Sequence, residues 1–341
     1  MYGISIFGSD KRERKLSELG DILEKLDSTV DFELFRPTLN KALSKERKGP
    51  GGRNRYDCVM MFKVLIIGRL FNLSDDQTEY QINDRISFMR FLDLGMDSTV
   101  PDAKTIWHYR EELKNAGVME TLFDSFNEML EKRGIITHEG SIVDATFVEV
   151  PEQHVHRDEN EQIKAGKIPE DWSENKRRRK DTDARWAKKY SKAFYGFKDH
   201  VNVDKDSKII VGYEVTAASV NDNQKLNDLV TEKDRVIYGD CGYVGKGFEE
   251  KFPAGVTSMI HEKAEINHPL TDEQKARNHE KSKIRCRVEH VFGYMETVMH
   301  GKRIRSIGID RARFNIGIMN LVYNICRFAY LSGATGPEPL T

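Results

Sequence analysis

At Gly140 the spacing of apolar residues changes period, and that change limits the chain to a helical part followed by a mixed α/β part. Before it, apolar residues recur at every third or fourth position. Leu16, Leu19, Ile22, Leu23 and Leu26 predict one amphipathic helix over 11–27. The stretch DCVMMFKVLIIGRLFN, residues 57–72, is apolar on nearly every face and suits a buried helix. Ser74, followed by Asp75 and Asp76, is a helix-start signal. That helix and its neighbour carry Tyr80, Ile82, Ile86, Phe88, Met89, Phe91 and Leu92. A second start signal, Ser98 to Asp102, precedes TIWHYREELKNAG, and VMETLFDSFNEMLEKRG closes the block. After Gly140, SIVDATFVEV is rich in β-branched and aromatic residues and reads as a strand.

Two more strands, YGFKDHVNVD and KIIVGYEVT, flank a polar DKDS turn as a hairpin does. NDNQKLNDLV follows as a helix, RVIYG as a strand, GKGFEEKF as a short helix and GVTSMI as a strand. A long helix is expected from Thr271 to about Met299, with Ile284, Val288, Val291, Met295 and Val298 as its apolar stripe. The last helix, ARFNIGIMNLVYNICRFAYL, is broken by Arg and Asn, so it belongs to a core rather than a membrane. Residues 151–194 are polar and basic with little periodicity, like a long insertion or mobile loop. Strand, strand, strand, helix, strand, helix, strand, long helix is the order of a ribonuclease-H-like domain. The expected fold class is α/β (α+β): an all-helical N-terminal DNA-binding domain over 1–135, and a ribonuclease-H-like catalytic domain over 136–335 with a basic insertion at about 151–194.

A chain of 341 residues has room for two such domains. Its 38% hydrophobic content suits a soluble protein with a core. No apolar run approaches the roughly 20 residues that span a bilayer, and the start lacks the basic-then-apolar order of a signal peptide. Cys58, Cys241, Cys286 and Cys326 are far apart, which points to a reducing compartment and no zinc ribbon. The balance of 54 Lys and Arg against 55 Asp and Glu gives no bulk sign of nucleic acid. The charges are clustered, however, at Lys41 to Arg55, at Lys176 to Lys180 (including Arg178 and Arg179) and at Lys302 to Arg305. Any one run reads first as a solvated face, whereas several in one chain, beside a site suited to phosphate chemistry, shift the balance toward DNA. The short helices that end in Lys104, His108, Tyr109 and Arg110 read either as a helix-turn-helix or as a plain bundle.

Three acids occupy distinctive places. Asp144 lies inside an apolar strand, where a carboxylate costs several kcal/mol unless it is paired or bound to metal. Asp240 ends the strand RVIYG, and ligands of such sheets sit beyond the carboxyl ends of strands. Glu289 is on the long helix beside Val288, one turn after Arg285. Separately, each has an ordinary structural explanation: an ion pair with Arg, a turn cap, a helix-surface pair. Together they form a hard oxygen donor set of the kind Mg²⁺ takes, and two ions would activate the attacking oxygen and stabilise the leaving one.

The segments SIVDATFVEV, YGFKDHVNVD, VIYGDCGYVG and KIRCRVEHVFGYME, in this order, resemble the DDE transposases of bacterial insertion sequences. The resemblance is closest to the insertion-sequence family numbered five. It extends to the helical DFELFRPTL and FLDLGMDSTVPDAKTIWHYREEL and covers about residues 30–330. It implies that Asp144, Asp240 and Glu289 bind metal. Two positions depart from that family's signature: Ser282 stands where it has Tyr, and Glu296 where it has Lys. Lys283 or Arg287 is a candidate to replace the lost phosphate contact.

Arg285 is expected to contact DNA. Lys198 and His200 would emerge beside Asp144 if the second strand pairs with the first, and reach the scissile phosphate. Trp172 and Trp186 suit stacking on unpaired bases or a small apolar cluster; His154 and His156 read as loop residues. The resemblance implies an enzyme that binds terminal inverted repeats, cleaves at the element ends and joins the 3′-hydroxyl to target DNA. It would use two Mg²⁺ ions, with Mn²⁺ accepted as well. A homodimer in the DNA complex and a cytoplasmic, nucleoid-associated bacterial location, with no membrane, complete the expectation. The alternatives are a catalytically inactive DNA-binding descendant and a nuclease of the same fold without strand transfer.

Overall fold

The computed structural model describes residues 8–44, 55–189, 191–244, 252–264 and 268–333. The basic break KGPGGRNR, apart from Arg55, and the expected helix GKGFEEKF, apart from Phe252, lie outside these residues. The chain divides into two compact units, Met1–Arg133 with Ile318–Thr341, and Gly134–Gly317. The first unit therefore takes back the C-terminal residues that the sequence groups with the second.

The first unit opens with α1 (Gly8–Leu19), α2 (Ile22–Thr29), α3 (Arg36–Leu43) and α4 (Cys58–Leu70). It continues with α5 (Asp75–Asp84), α6 (Ile86–Phe91), α7 (Ala103–Ala116) and α8 (Met119–Lys132). The second contains β1 (Ser141–Glu149), α9 (Arg157–Lys164), α10 (Glu174–Arg179), β2 (Arg185–Lys189), β3 (Lys192–Asp204) and β4 (Ile210–Ala217). It goes on through α11 (Leu226–Leu229), β5 (Val236–Gly239), β6 (Thr257–Ile260), α12 (Asp272–Arg285) and α13 (Arg287–Thr297) to the start of α14 (Ile309–Leu331).

In the first unit the expected helix over 11–27 is two. Gly20 turns left-handed at φ 87°, and the Asp21 carboxylate accepts from Leu23 N (3.0 Å) to start α2 afresh. The start signals at Ser74 and Asp102 are real caps: Ser74 forms a capping box with Gln77, and Asp102 accepts from Thr105 N (2.6 Å). A run of aromatic contacts forms the core. Phe35 packs on Phe62 (5.0 Å between ring centroids) and Phe126 (6.2 Å), and Phe126 meets Phe328 of α14 (6.1 Å). Rings at such separations gain about 0.5–1.5 kcal/mol beyond the area they bury.

In the second unit β1 is antiparallel to β3 and parallel to β5. β5 is parallel to β6, and β2 and β4 both pair with β3 in antiparallel fashion. Val143, Leu226, Leu229, Val230, Ile237, Tyr243 and Ile260 form an apolar cluster between β1, β5, β6 and α11. The hairpin expected around DKDS is β3–β4.

Residues 151–194 are not an open loop. They fold into α9, α10 and β2, fixed by polar contacts rather than apolar periodicity. Trp172 is 3% exposed, and its Nε1 donates to Glu159 Oε1 (2.7 Å). Lys176 pairs with the same carboxylate, and the two bonds hold Glu159 well below the usual carboxylate range, at about 2. The Asp181 carboxylate accepts from Asp183 N and Ala184 N (2.9 Å each) and from Gly308 N (3.0 Å). The long helix is likewise two, α12 and α13, parted at Cys286, where Glu289 N turns back to Cys286 O (3.1 Å) in an i→i−3 bond. No described helix is long and apolar enough to cross a membrane.

Candidate active site

Asp144 lies mid-way along β1, where burial changes: Ile142 and Val143 are fully buried, and Asp144 to Phe147 are half-buried. Its side chain is 14% exposed. Oδ1 accepts from Ala145 N (2.8 Å) and Oδ2 from Arg285 Nη1 (3.1 Å). Burial pushes the carboxyl up to about 6; the Ala145 bond and the Arg285 charge oppose the rise, while the charges of Asp240 and Glu289 add to it. The charges of Asp240 and Glu289, far away in sequence, thus reach Asp144.

Strand register explains how. β1 and β5 run parallel with Ile142 opposite Tyr238. Two residues further on come Asp144, still within β1, and Asp240, one residue beyond the end of β5. Asp240 then caps the next turn, its Oδ1 accepting from Gly242 N (2.8 Å). A Cβ at 242 would stand 2.9 Å from that same oxygen, so a larger residue there would have to push the Asp240 carboxylate aside. Glu289 is an exposed residue in the first turn of α13. Tyr243, buried among these groups, has its hydroxyl pushed further up by burial and by the charges of Asp144, Asp222 and Asp240.

Among the described residues no three His, Cys, Asp or Glu side chains stand close enough together to hold a metal ion. Arg285 takes one oxygen of Asp144. The donor chemistry nevertheless fits a hard divalent cation: all three groups offer carboxylate oxygen, and Asp144 is mostly buried with the charges of Asp240 and Glu289 acting on it.

Residues 136–325 match the family described as Transposase DDE domain, and residues 10–112 match Transposase domain (DUF772). The chain belongs to the DDE transposases. A cryo-EM structure of a piggyBac transposase synaptic complex with hairpin DNA is a distant likeness, with a TM-score of 0.43 and 12% identity over 94% of this chain and 77% of that chain.

The transposase places the other expected residues less uniformly. β3 does pair with β1, yet Lys198 and His200 do not emerge beside Asp144. Asp144 faces Val201, whereas His200 faces Ala145 and Lys198 faces Phe147. Strand alternation therefore puts both on the opposite side of the sheet. There Lys198 donates to Asp222 Oδ1 and Val220 O (2.8 Å each), and His200 is fully buried with Nε2 on Thr216 Oγ1 (2.8 Å). Arg110 is also committed, in a bidentate pair with Asp75 (2.6 and 2.7 Å). Arg287 bonds Lys205 O (2.8 Å) and Asp206 (3.0 Å) of the β3–β4 turn, which leaves Lys283, exposed and paired with Glu280 (2.6 Å) of its own helix, as the freer cation.

Arg178 and Arg179 of α10 and Lys104 of α7 are exposed. Trp107 and His108 share the exposed face of α7 with Lys104; Trp107 is 42% exposed and touches the His108 ring at 4.9 Å. Trp107 escapes sequence reasoning because an aromatic residue in a helix reads as core. Trp172 is the apolar anchor of the insertion, and Trp186 is the exposed one. Glu296, at a position of expected cationic character, is paired with Lys302. His261, at the end of β6, lies among Arg285, Lys281 and Asp240, and burial lowers its pKa, with the two cations acting in the same direction. No motif marks it; only the sheet register brings it there.

Proposed function

We propose that this DDE transposase, of the insertion-sequence family numbered five and ribonuclease-H-like in fold, binds the terminal inverted repeats of its element. It then cleaves DNA at the ends and joins each 3′-hydroxyl to target DNA. The observation that carries the reading is that Asp144, Asp240 and Glu289, from a strand, a strand end and a helix, lie near enough for the charges of the last two to act on the Asp144 carboxyl, which burial already raises to about 6. DDE transposases generally use divalent metals, and these carboxylates would hold two, Mg²⁺ or Mn²⁺. When bound, such ions would supply Lewis acidity to the phosphodiester chemistry.

The chain's own groups do the rest. Asp144 anchors the site on a rigid strand. Arg285 neutralises Asp144 in the free protein and is placed to turn its guanidinium to a phosphate when that carboxylate is otherwise engaged. Lys104 with its neighbours on α7, together with Lys283, Arg178 and Arg179, offers cationic contacts to the DNA backbone. Joining two element ends requires two active sites, so the active complex is a homodimer on DNA. The first unit serves as the DNA-binding domain and the second as the catalytic domain.

The test is strand cleavage of end-containing duplexes with Mg²⁺ or Mn²⁺, followed by a joining assay. Asp144→Ala, Asp240→Ala and Glu289→Ala are each expected to lower cleavage at least 100-fold, on the order of a lost metal ligand or its support. Cleavage that survives all three substitutions refutes the assignment. Cleavage without joining identifies a nuclease, and binding without any cleavage identifies an inactive descendant.

A further inference from the structure

None of the residues of α12 is fully buried, so polar contacts carry much of its attachment. Its last residue, Arg285, nonetheless meets a half-buried carboxylate at hydrogen-bond distance. A row of polar contacts ties it to Ile260, His261 and Glu262. Lys281 Nζ donates to Ile260 O (2.9 Å). Glu262 N donates to Asn278 Oδ1 (2.9 Å), and Asn278 Nδ2 donates to Glu262 O (3.0 Å). Arg277 grips the Glu262 carboxylate through two nitrogens (2.8 and 3.0 Å). His261 Nε2 lies 3.2 Å from Ser282 Oγ, and Ser282 is one turn before Arg285.

The direction of that last bond follows from its neighbour. The Ser282 hydroxyl donates to Asn278 O (2.8 Å), so its oxygen accepts and His261 Nε2 carries the proton. The ring is anchored from the sheet as well. Gly239 and Ile260 are paired in the parallel ladder, so Asp240 and His261 follow abreast, and His261 N donates to Gly239 O (3.1 Å). One residue is therefore tied to the strand end that carries Asp240 and to the helix turn that carries Arg285.

We propose that His261, acting through Ser282, is a positioning residue of the active site that sets the Arg285 guanidinium against Asp144. The inference rests on the transposase reading for its catalytic consequence and on geometry alone for the clamp. Its contacts with Ser282 and Gly239 fix α12 relative to β5 and β6 at the one place where Arg285, Asp144 and Asp240 converge. The outer contacts at Asn278 and Glu262 hold the helix more than a turn further away.

The experiment compares wild type with His261→Ala, His261→Gln, Arg285→Gln and the His261→Ala/Arg285→Gln double variant. Gln can present a donor near the position of Nε2. Amide hydrogen exchange of residues 276–285 reads the clamp without reference to activity, and single-turnover cleavage of an end duplex in Mn²⁺ reads its consequence. His261→Ala is expected to speed exchange in α12 and to slow cleavage, each about fivefold to tenfold, the size of one lost hydrogen bond. End-DNA affinity should stay level, and His261→Gln should recover both readouts. In the Arg285→Gln background the same change should bring no further loss of cleavage. Unchanged α12 exchange in His261→Ala overturns the proposal, as does a cleavage loss that multiplies with that of Arg285→Gln. If Asp144→Ala still cuts, the transposase reading fails separately, and the exchange result alone decides the clamp.

Discussion

His200 shows how one side chain reports on the sheet around it. It is fully buried, with Nε2 on Thr216 Oγ1 and Nδ1 3.7 Å from Asp222, and it faces the cations Lys198 and Lys225 as well. Burial lowers its pKa to about 4, assisted by the two lysines and opposed by Asp222. An unfolded histidine titrates near 6.5. The folded state thus holds the neutral ring, and the unfolded chain binds the proton first as pH falls. Stability from this group is complete above about pH 6.5 and is lost as pH drops toward 4, by about 3 kcal/mol at most. Urea unfolding at pH 7 and pH 4.5 should show a smaller acid loss in His200→Gln than in wild type, by about 2 kcal/mol. Parallel losses in the two proteins would assign the acid sensitivity elsewhere. The same side chain marks a limit of sequence reasoning. Composition and pattern put YGFKDH in a strand beside SIVDATFVEV, which is where it lies, but register alone decides which residues share a face with Asp144, and a shift of one position reverses every side chain.

At the scale of elements, α7 separates two kinds of cation that a sequence cannot distinguish. Lys104 is exposed beside Trp107 and His108, whereas Arg110 is bound at both ends of its fork to Asp75 of α5. Lys104→Ala should weaken end binding and reduce the salt dependence of log K by about 0.9, the share of one phosphate contact. Arg110→Ala should leave that slope in place and instead lower folding stability by about 1–3 kcal/mol, because Asp75 loses its partner while partly buried. Equal salt slopes for Lys104→Ala and wild type would remove α7 from the DNA interface. Elements with strong apolar periodicity or clear caps are legible in the amino-acid sequence: α4, α5, α7, α8, the β3–β4 hairpin and the elements that carry all three acids. The insertion is not, since Glu159, Trp172, Lys176 and Asp181 hold it through a few non-local polar bonds. The breaks at Gly20 and Cys286 are hidden by apolar spacing that runs on across them. His261 is invisible for a third reason, because its neighbours come from β5 and α12 through strand register and no local pattern records that.

At the scale of the whole molecule, the helical unit is made from both ends of the chain, Met1–Arg133 and Ile318–Thr341. Within its C-terminal piece Ile318, Met319, Leu321, Val322, Ile325 and Phe328 are each 3% exposed or less. Phe328 meets Phe126 and the Arg133 guanidinium, and Asn324 Nδ2 donates to Asn127 Oδ1 (3.0 Å). At about 1.5–3 kcal/mol for each large apolar side chain, the burial of this piece contributes on the order of 10 kcal/mol. That is comparable with the whole net stability of a domain, about 5–15 kcal/mol. A fragment of residues 1–133 therefore loses the Phe328 contact of Phe126 and the hydrogen bond that Asn324 donates to the buried Asn127 side chain. It should show helix but no cooperative unfolding transition in urea, and the same fragment joined through a long flexible linker to residues 318–333 should regain one. A single sharp transition in the unlinked fragment, with a denaturant slope proportionate to its length, would mean that the N-terminal helices form their core alone. The N-terminal helices would then be separable from residues 318–333, whereas a return of cooperativity with 318–333 would make folding of the first unit wait for synthesis of that segment.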